Sequence, residues 1–130
     1  MNTDYLKTGK QTLNTPQITQ IVNSIKGEGL DFIASTLIWI HKNIRIERAQ
    51  DMSLFRKRTA DQIITDKLST GCTDTALVFI SITRAKGIPT KYVEVFSKKW
   101  LEKGGDILAG HVYAECFIND KWMQIDPHLC

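Results

Sequence analysis

Three residues, read in chain order, have the types needed for nucleophilic acyl chemistry: a cysteine, a histidine and an aspartate. Cys72 lies in "STGCTDTALVFISITRAKGIP" (residues 69–89), directly after a glycine and at the head of an apolar run. A thiol is a poor nucleophile until it ionises. The first turn of a helix favours the anion, because its unpaired backbone N–H groups and the helix dipole act as a partial positive charge. The same position turns the cysteine's own N–H outward, where it can hold the oxyanion of a tetrahedral intermediate. A cysteine heading an apolar helix also reads as core packing. The catalytic reading therefore depends on a base and an orienting group elsewhere.

The chain offers His41, His111 and His128. His41 falls on a helix ahead of the cysteine and reads as a surface residue. His111 opens a strand after a glycine-containing loop. A two-residue hairpin at Asn119-Asp120 would set Ile118 opposite Lys121 and Tyr113 opposite Asp126. His111 and Asp126 then become diagonal neighbours on one face, within hydrogen-bonding reach. His128 shares that face but has no carboxylate after it to orient its ring. The other face carries Val112, Ala114, Cys116, Ile118, Met123 and Ile125, so Cys116 reads as packing. Adding one residue to the turn would flip this parity.

The flanking elements follow from pattern. Residues 1–14 are polar and expected to be loosely held. Thr15 and Pro16 suit a helix start, and Ile18, Ile21, Val22 and Ile25 follow at helical spacing. A second helix runs from about Leu30 to Asn43, with Phe32, Ile33, Leu37 and Ile40 inward and Trp39 flanking. "IRIE" (44–47) is a short extended piece. Thr59 and Gln62 match a capping box for a short helix that carries Ile63 and Ile64 inward. From Cys72 onward, Ala76, Leu77, Val78, Phe79, Ile80, Ile82 and Ala85 cover nearly the whole circumference, as on a central buried helix. Gly87 and Pro89 end it. "KYVEVF", "HVYAECFI" and "WMQID" read as strands. Helices first and a small antiparallel sheet afterwards make an α+β domain.

Composition sets the bounds. The 130 residues fit one domain, and 42% hydrophobic with 24% charged residues is ordinary for a globular protein. A net charge of +3, with scattered lysines and arginines, argues against nucleic acid as a partner. "RKR" (56–58) and Lys98-Lys99 read as solvated surface. No membrane-length apolar run and no signal peptide is visible, which points to a cytoplasmic protein. Three cysteines at wide spacing form no disulfide framework, and no metal-ligand spacing or cofactor motif is present.

Cys72, His111 and Asp126, in that order, resemble the transglutaminase-like superfamily of papain-related cysteine enzymes, which includes transglutaminases, peptide N-glycanases and microbial proteases. The resemblance runs from "RTADQIITDKLSTGCTDTALVFISITRAKGIPTKYVEV" to "GHVYAECFINDKWMQIDP" and covers about half the chain. It implies a papain-like core, with Cys72 as nucleophile, His111 as general base and acid, and Asp126 orienting the imidazole. It implies acyl transfer through a thioester on a peptide or protein substrate, with hydrolysis favoured over transfer to a small primary amine. The alternative is a catalytically silent binding or scaffold module on the same fold. Thr70 stands where many relatives have glycine, Tyr113 where they have tryptophan, and many relatives continue beyond the aspartate strand. The loop from Ser97 to Gly110, with Trp100 and Gly104-Gly105, is expected to border the cleft as a lid.

Overall fold

A computed structural model describes residues 2–47, 54, 56–96, 102 and 110–128. A 3-10 turn at Asn2–Leu6 precedes helices α1 (Pro16–Ser24) and α2 (Gly29–Asn43). Strand β1 (Arg45–Ile46), helix α3 (Ala60–Asp66) and strand β2 (Leu68–Ser69) lead to helix α4 (Cys72–Lys86). Strands β3 (Thr90–Phe96), β4 (Gly110–Ile118) and β5 (Lys121–Ile125) follow. The fold is α+β, as the pattern predicts.

Local signals act where expected. Thr15 Oγ1 accepts from the Ile18 N–H, and Pro16 takes the first helical position of α1. The capping box of α3 is complete: the Gln62 N–H donates to Thr59 Oγ1 at 3.2 Å, and the Thr59 N–H donates to Gln62 Oε1 at 2.8 Å. Gly87, at φ 100°, ends α4 in the left-handed conformation. The Ile88 N–H then returns to the Thr83 carbonyl at 2.9 Å, closing the helix end.

Every residue of α4 from Thr73 to Thr83 is buried. Helices α1, α2 and α3 and strands β3 and β4 all pack against it. Its buried hydroxyls are accommodated by back-bonding within the helix: Ser81 to the Leu77 carbonyl at 2.8 Å and Thr83 to Phe79 at 3.0 Å. The core around it includes Ile18, Phe32, Ile40, Ile63 and Phe79, all without solvent exposure.

The sheet is antiparallel in the order β3-β4-β5, and β1 pairs with β2 in parallel. Ile118 faces Lys121 and Ala114 faces Ile125, the predicted hairpin register. Asn119 and Asp120 both take positive φ (55° and 64°), the requirement of a type I′ turn. Val112, Ala114 and Cys116 point into the core, fully buried.

Two expectations are revised by long-range contacts. The segment before Thr15 is tied to the body: the Gln11 amide donates to the Arg56 and Arg58 carbonyls, and Tyr5 stacks edge-on against Trp122. "RKR" is not a solvated run. Arg58 is 6% exposed, and Arg56 pairs with Glu94 at 2.7 Å. Lys98-Lys99, the lid with Trp100 and Gly104-Gly105, and Cys130 lie outside the described residues.

Candidate active site

Cys72 is the first residue of α4 and is half-buried, with Gly71 as the N-cap. As one of the first four N–H groups of the helix, its amide has no carbonyl partner within it. Gly71 has no side chain to cap the turn, so neighbouring residues hold it. Ser69 Oγ lies within donating distance of the Gly71 carbonyl at 2.9 Å, and Thr75 Oγ1 of the same oxygen at 3.1 Å. Asp74, 1% exposed, reaches back so that Oδ2 accepts from the Thr70 N–H at 2.9 Å and the Thr70 hydroxyl at 2.7 Å.

The same Asp74 oxygen accepts from Arg58 Nη2 at 2.7 Å. Arg58 also donates to Asp66 Oδ2 at 2.8 Å and to the Leu68 carbonyl at 2.9 Å. One buried guanidinium thus ties the end of α3, strand β2 and the first turn of α4 together around the cysteine.

His111, the second residue of β4, hydrogen-bonds Asp126 Oδ2 through Nε2. The expected histidine–carboxylate partnership is present, just beyond the end of β5. With Nε2 on the carboxylate, Nδ1 is the ring atom left to exchange a proton with a nucleophile. Among the described residues no hydrogen bond joins the Cys72 sulfur to His111.

The other two histidines meet the same turn. The His128 N–H donates to Asp126 Oδ1 at 3.0 Å, and His128 Nδ1 lies 3.2 Å from Thr75 Oγ1. His41 Nε2 donates to the Pro127 carbonyl at 2.6 Å, so it is a tether between α2 and the end of the sheet rather than a bare surface residue. Burial lowers the His128 pKa, and positive charge on His111 and His41 acts in the same direction against the pull of Asp126.

On the other flank, the Tyr92 hydroxyl donates to Glu94 Oε1 at 3.3 Å, beside the Arg56–Glu94 pair. Arg56 has its pKa raised, first by the hydrogen bond to Glu94, against the opposing effect of its burial. Cys116, by contrast, is buried against Thr90, and burial pushes its thiol up to about 11. It is inert packing. Among the described residues no group of three or more His, Cys, Asp or Glu side chains could hold a metal ion. No described helix is long and apolar enough to cross a membrane. A groove of about 350 Å³ between α1, α2 and α3, lined in part by Gln17, Ile21, Trp39 and Ile64, shares no residue with this site.

Sequence reasoning placed His128 on the His111 face and Arg58 in a solvated run, but missed the Arg58–Asp74 pair and the Thr75–His128 contact. A signal for Asp74 was available: an acid three residues after a glycine N-cap can accept from the backbone before the helix.

No curated protein sequence matches the chain. Solved structures do. A Cytophaga hutchinsonii protein proposed to be a cysteine protease superimposes with a TM-score of 0.73 at 18% identity, over 97% of this chain and 41% of that one. The periplasmic domain of TgpA from Pseudomonas aeruginosa, bound to ethylmercury, gives 0.68 at 16% identity, over 97% and 48%. A structure described as a TGase gives 0.57 at 13%, over 97% and 31%. The chain therefore spans less than half the length of each. At these identities the likeness is one of fold. The model of the transglutaminase-like superfamily matches residues 17–127, nearly the whole of the described core. The chain belongs to the transglutaminase-like superfamily.

Proposed function

We propose that this domain is a thiol acyl-transfer enzyme acting on peptide or carboxamide bonds, with Cys72 as nucleophile, His111 as general base and acid, and Asp126 orienting the imidazole. The observation that carries the reading is the His111–Asp126 hydrogen bond through Nε2. A carboxylate on one ring nitrogen fixes the tautomer and stabilises the imidazolium that forms when the other takes the thiol proton.

In the reaction, His111 Nδ1 accepts the Cys72 proton and the sulfur adds to the carbonyl carbon. The carbonyl oxygen becomes an oxyanion, held by the Cys72 N–H at the start of α4. Collapse breaks the C–N bond, the imidazolium gives its proton to the departing amine, and a thioester remains. Water, deprotonated by His111, attacks the thioester. The acid is released and the thiol regenerated. A primary amine in place of water would give transamidation. We favour hydrolysis of a peptide or protein substrate as the outcome, since the sequence carries no run of clustered carboxylates of the kind a calcium-controlled transamidating enzyme needs.

The test is alkylation by iodoacetamide as a function of pH, with mass-spectrometric assignment of the labelled cysteine. Cys72 is expected to react well below about pH 8, with Cys116 spared, and His111→Ala to move the profile up to that of an ordinary thiol. Cys72→Ser abolishes the low-pH labelling. Cys72 reacting only in the ordinary thiol range, or no faster than Cys130, would overturn the catalytic reading in favour of a silent scaffold.

A further inference from the structure

The peptide linking Gly71 to Cys72 carries the oxyanion donor of the reaction proposed above. A Cβ built on Gly71 would meet nothing within 4 Å among the described residues. Hydrogen bonds, by contrast, converge on its carbonyl. The Gly71 carbonyl accepts from the Thr75 N–H at 3.2 Å and has Ser69 Oγ at 2.9 Å and Thr75 Oγ1 at 3.1 Å within donating distance. That carbonyl and the Cys72 N–H are opposite ends of one planar amide, so fixing the first aims the second.

The hydroxyls extend further. Ser69 Oγ lies 2.7 Å from Thr75 Oγ1, and Thr75 Oγ1 lies 3.2 Å from His128 Nδ1. Two orders give the Gly71 carbonyl a hydroxyl proton and leave one between Ser69 and Thr75: Thr75 donates to Ser69 and Ser69 to the carbonyl, or Ser69 donates to Thr75 and Thr75 to the carbonyl; in both, His128 Nδ1–H fills the link to Thr75. If Thr75 instead donated to His128 while Ser69 donated to Gly71, two hydroxyl oxygens would face each other at 2.7 Å with no proton between them. The residue that starts the row also meets the other half of the site, since the His128 N–H donates to Oδ1 of the carboxylate whose Oδ2 holds His111.

We propose that His128 is a positioning residue: through Thr75 and Ser69 it aims the Cys72 N–H as oxyanion donor, and through Asp126 it ties that turn to His111. The assignment rests on the acyl-transfer reading above. A row of donors ending on the Gly71 carbonyl also polarises the amide and strengthens the N–H at its other end.

The experiment separates two reactions of the same sulfur. Alkylation by iodoacetamide needs the thiolate but no oxyanion; acylation by p-nitrophenyl acetate needs both. His128→Leu and Thr75→Val are expected to lower the acylation rate by about tenfold or more while alkylation stays within about twofold of wild type, with Thr75→Ser recovering most of the loss. His128 is half-buried, so its variant keeps the test open if Thr75→Val fails to fold. Ring nitrogen NMR should find His128 protonated at Nδ1.

Unchanged acylation in both variants, acylation and alkylation falling together, or a bare Nδ1 in the active protein would each overturn the role of His128 alone. A wild-type protein that is alkylated at low pH but never acylated would instead defeat the acyl-transfer reading, and this role with it.

Discussion

Replacing Asp74 by alanine removes the acceptor that three donors share: Arg58 Nη2, the Thr70 N–H and the Thr70 hydroxyl. Asp74 is 1% exposed and Arg58 6%, so the variant leaves a buried guanidinium without one of its two carboxylates. Breaking a buried pair from one side costs about 3–5 kcal/mol. Arg58 keeps Asp66, whose side chain is 49% exposed, and the Leu68 carbonyl, which places the expected loss near the lower end, at about 3 kcal/mol. For a domain of this size that corresponds to a fall in Tm of about 10 °C. The assay is urea and thermal unfolding followed by circular dichroism, on Asp74→Ala, Arg58→Met and the double variant. An apolar replacement of both partners approaches neutrality, so the double variant is expected to recover at least about 1.5 kcal/mol relative to the sum of the singles. A single-variant loss below about 1 kcal/mol, or strictly additive singles, would refute the view that this pair holds the cysteine turn.

Other expectations concern the opposite side of the site. A Cβ on Gly110 would stand 2.5 Å from the Val95 carbonyl oxygen and 3.2 Å from Phe96 Cδ1, so Gly110→Ala must open the β3–β4 pairing next to His111. We expect a loss of about 1–3 kcal/mol with slower acylation of Cys72; an unchanged Tm and rate would contradict it. His128 has its pKa lowered from 6.5, mainly by burial, so below about that pH the unfolded chain binds a proton that the folded ring resists. Stability should therefore fall as pH drops from about 6.5 through the window down to the lowered value, and His128→Gln should flatten that slope. Equal slopes in wild type and variant would refute the assignment.

The features legible in the sequence are those set by neighbours along the chain. The Thr59–Gln62 capping box, the Gly87 stop and the Asn119-Asp120 turn each need only a few consecutive residues. The turn then fixed the strand register, and the register brought His111 to Asp126. The all-round apolar pattern after Cys72 likewise announced a helix enclosed on every side. What stayed hidden depends on contacts between distant elements. Arg58 looked like part of a solvated basic run because its acceptor, Asp74, lies 16 positions later. His128 looked idle because its ring partner, Thr75, is 53 positions earlier, on a helix whose distance from the end of β5 no local pattern encodes. His41 reads as surface until the Pro127 carbonyl is placed beside it, 86 positions away.

The sulfur and the carboxylate stand on elements of unequal permanence. Cys72 heads the helix on which α1, α2, α3, β3 and β4 pack, whereas Asp126 follows β5, a border strand paired on one side only among the described residues. Enclosed elements open only with the whole molecule, while border strands fray at far lower cost. Peeling back β5, together with the His41–Pro127 and His128–Thr75 contacts that fasten its end, would withdraw the carboxylate from His111 while the helix stayed folded. The His111–Asp126 pairing and the architecture can thus be lost separately.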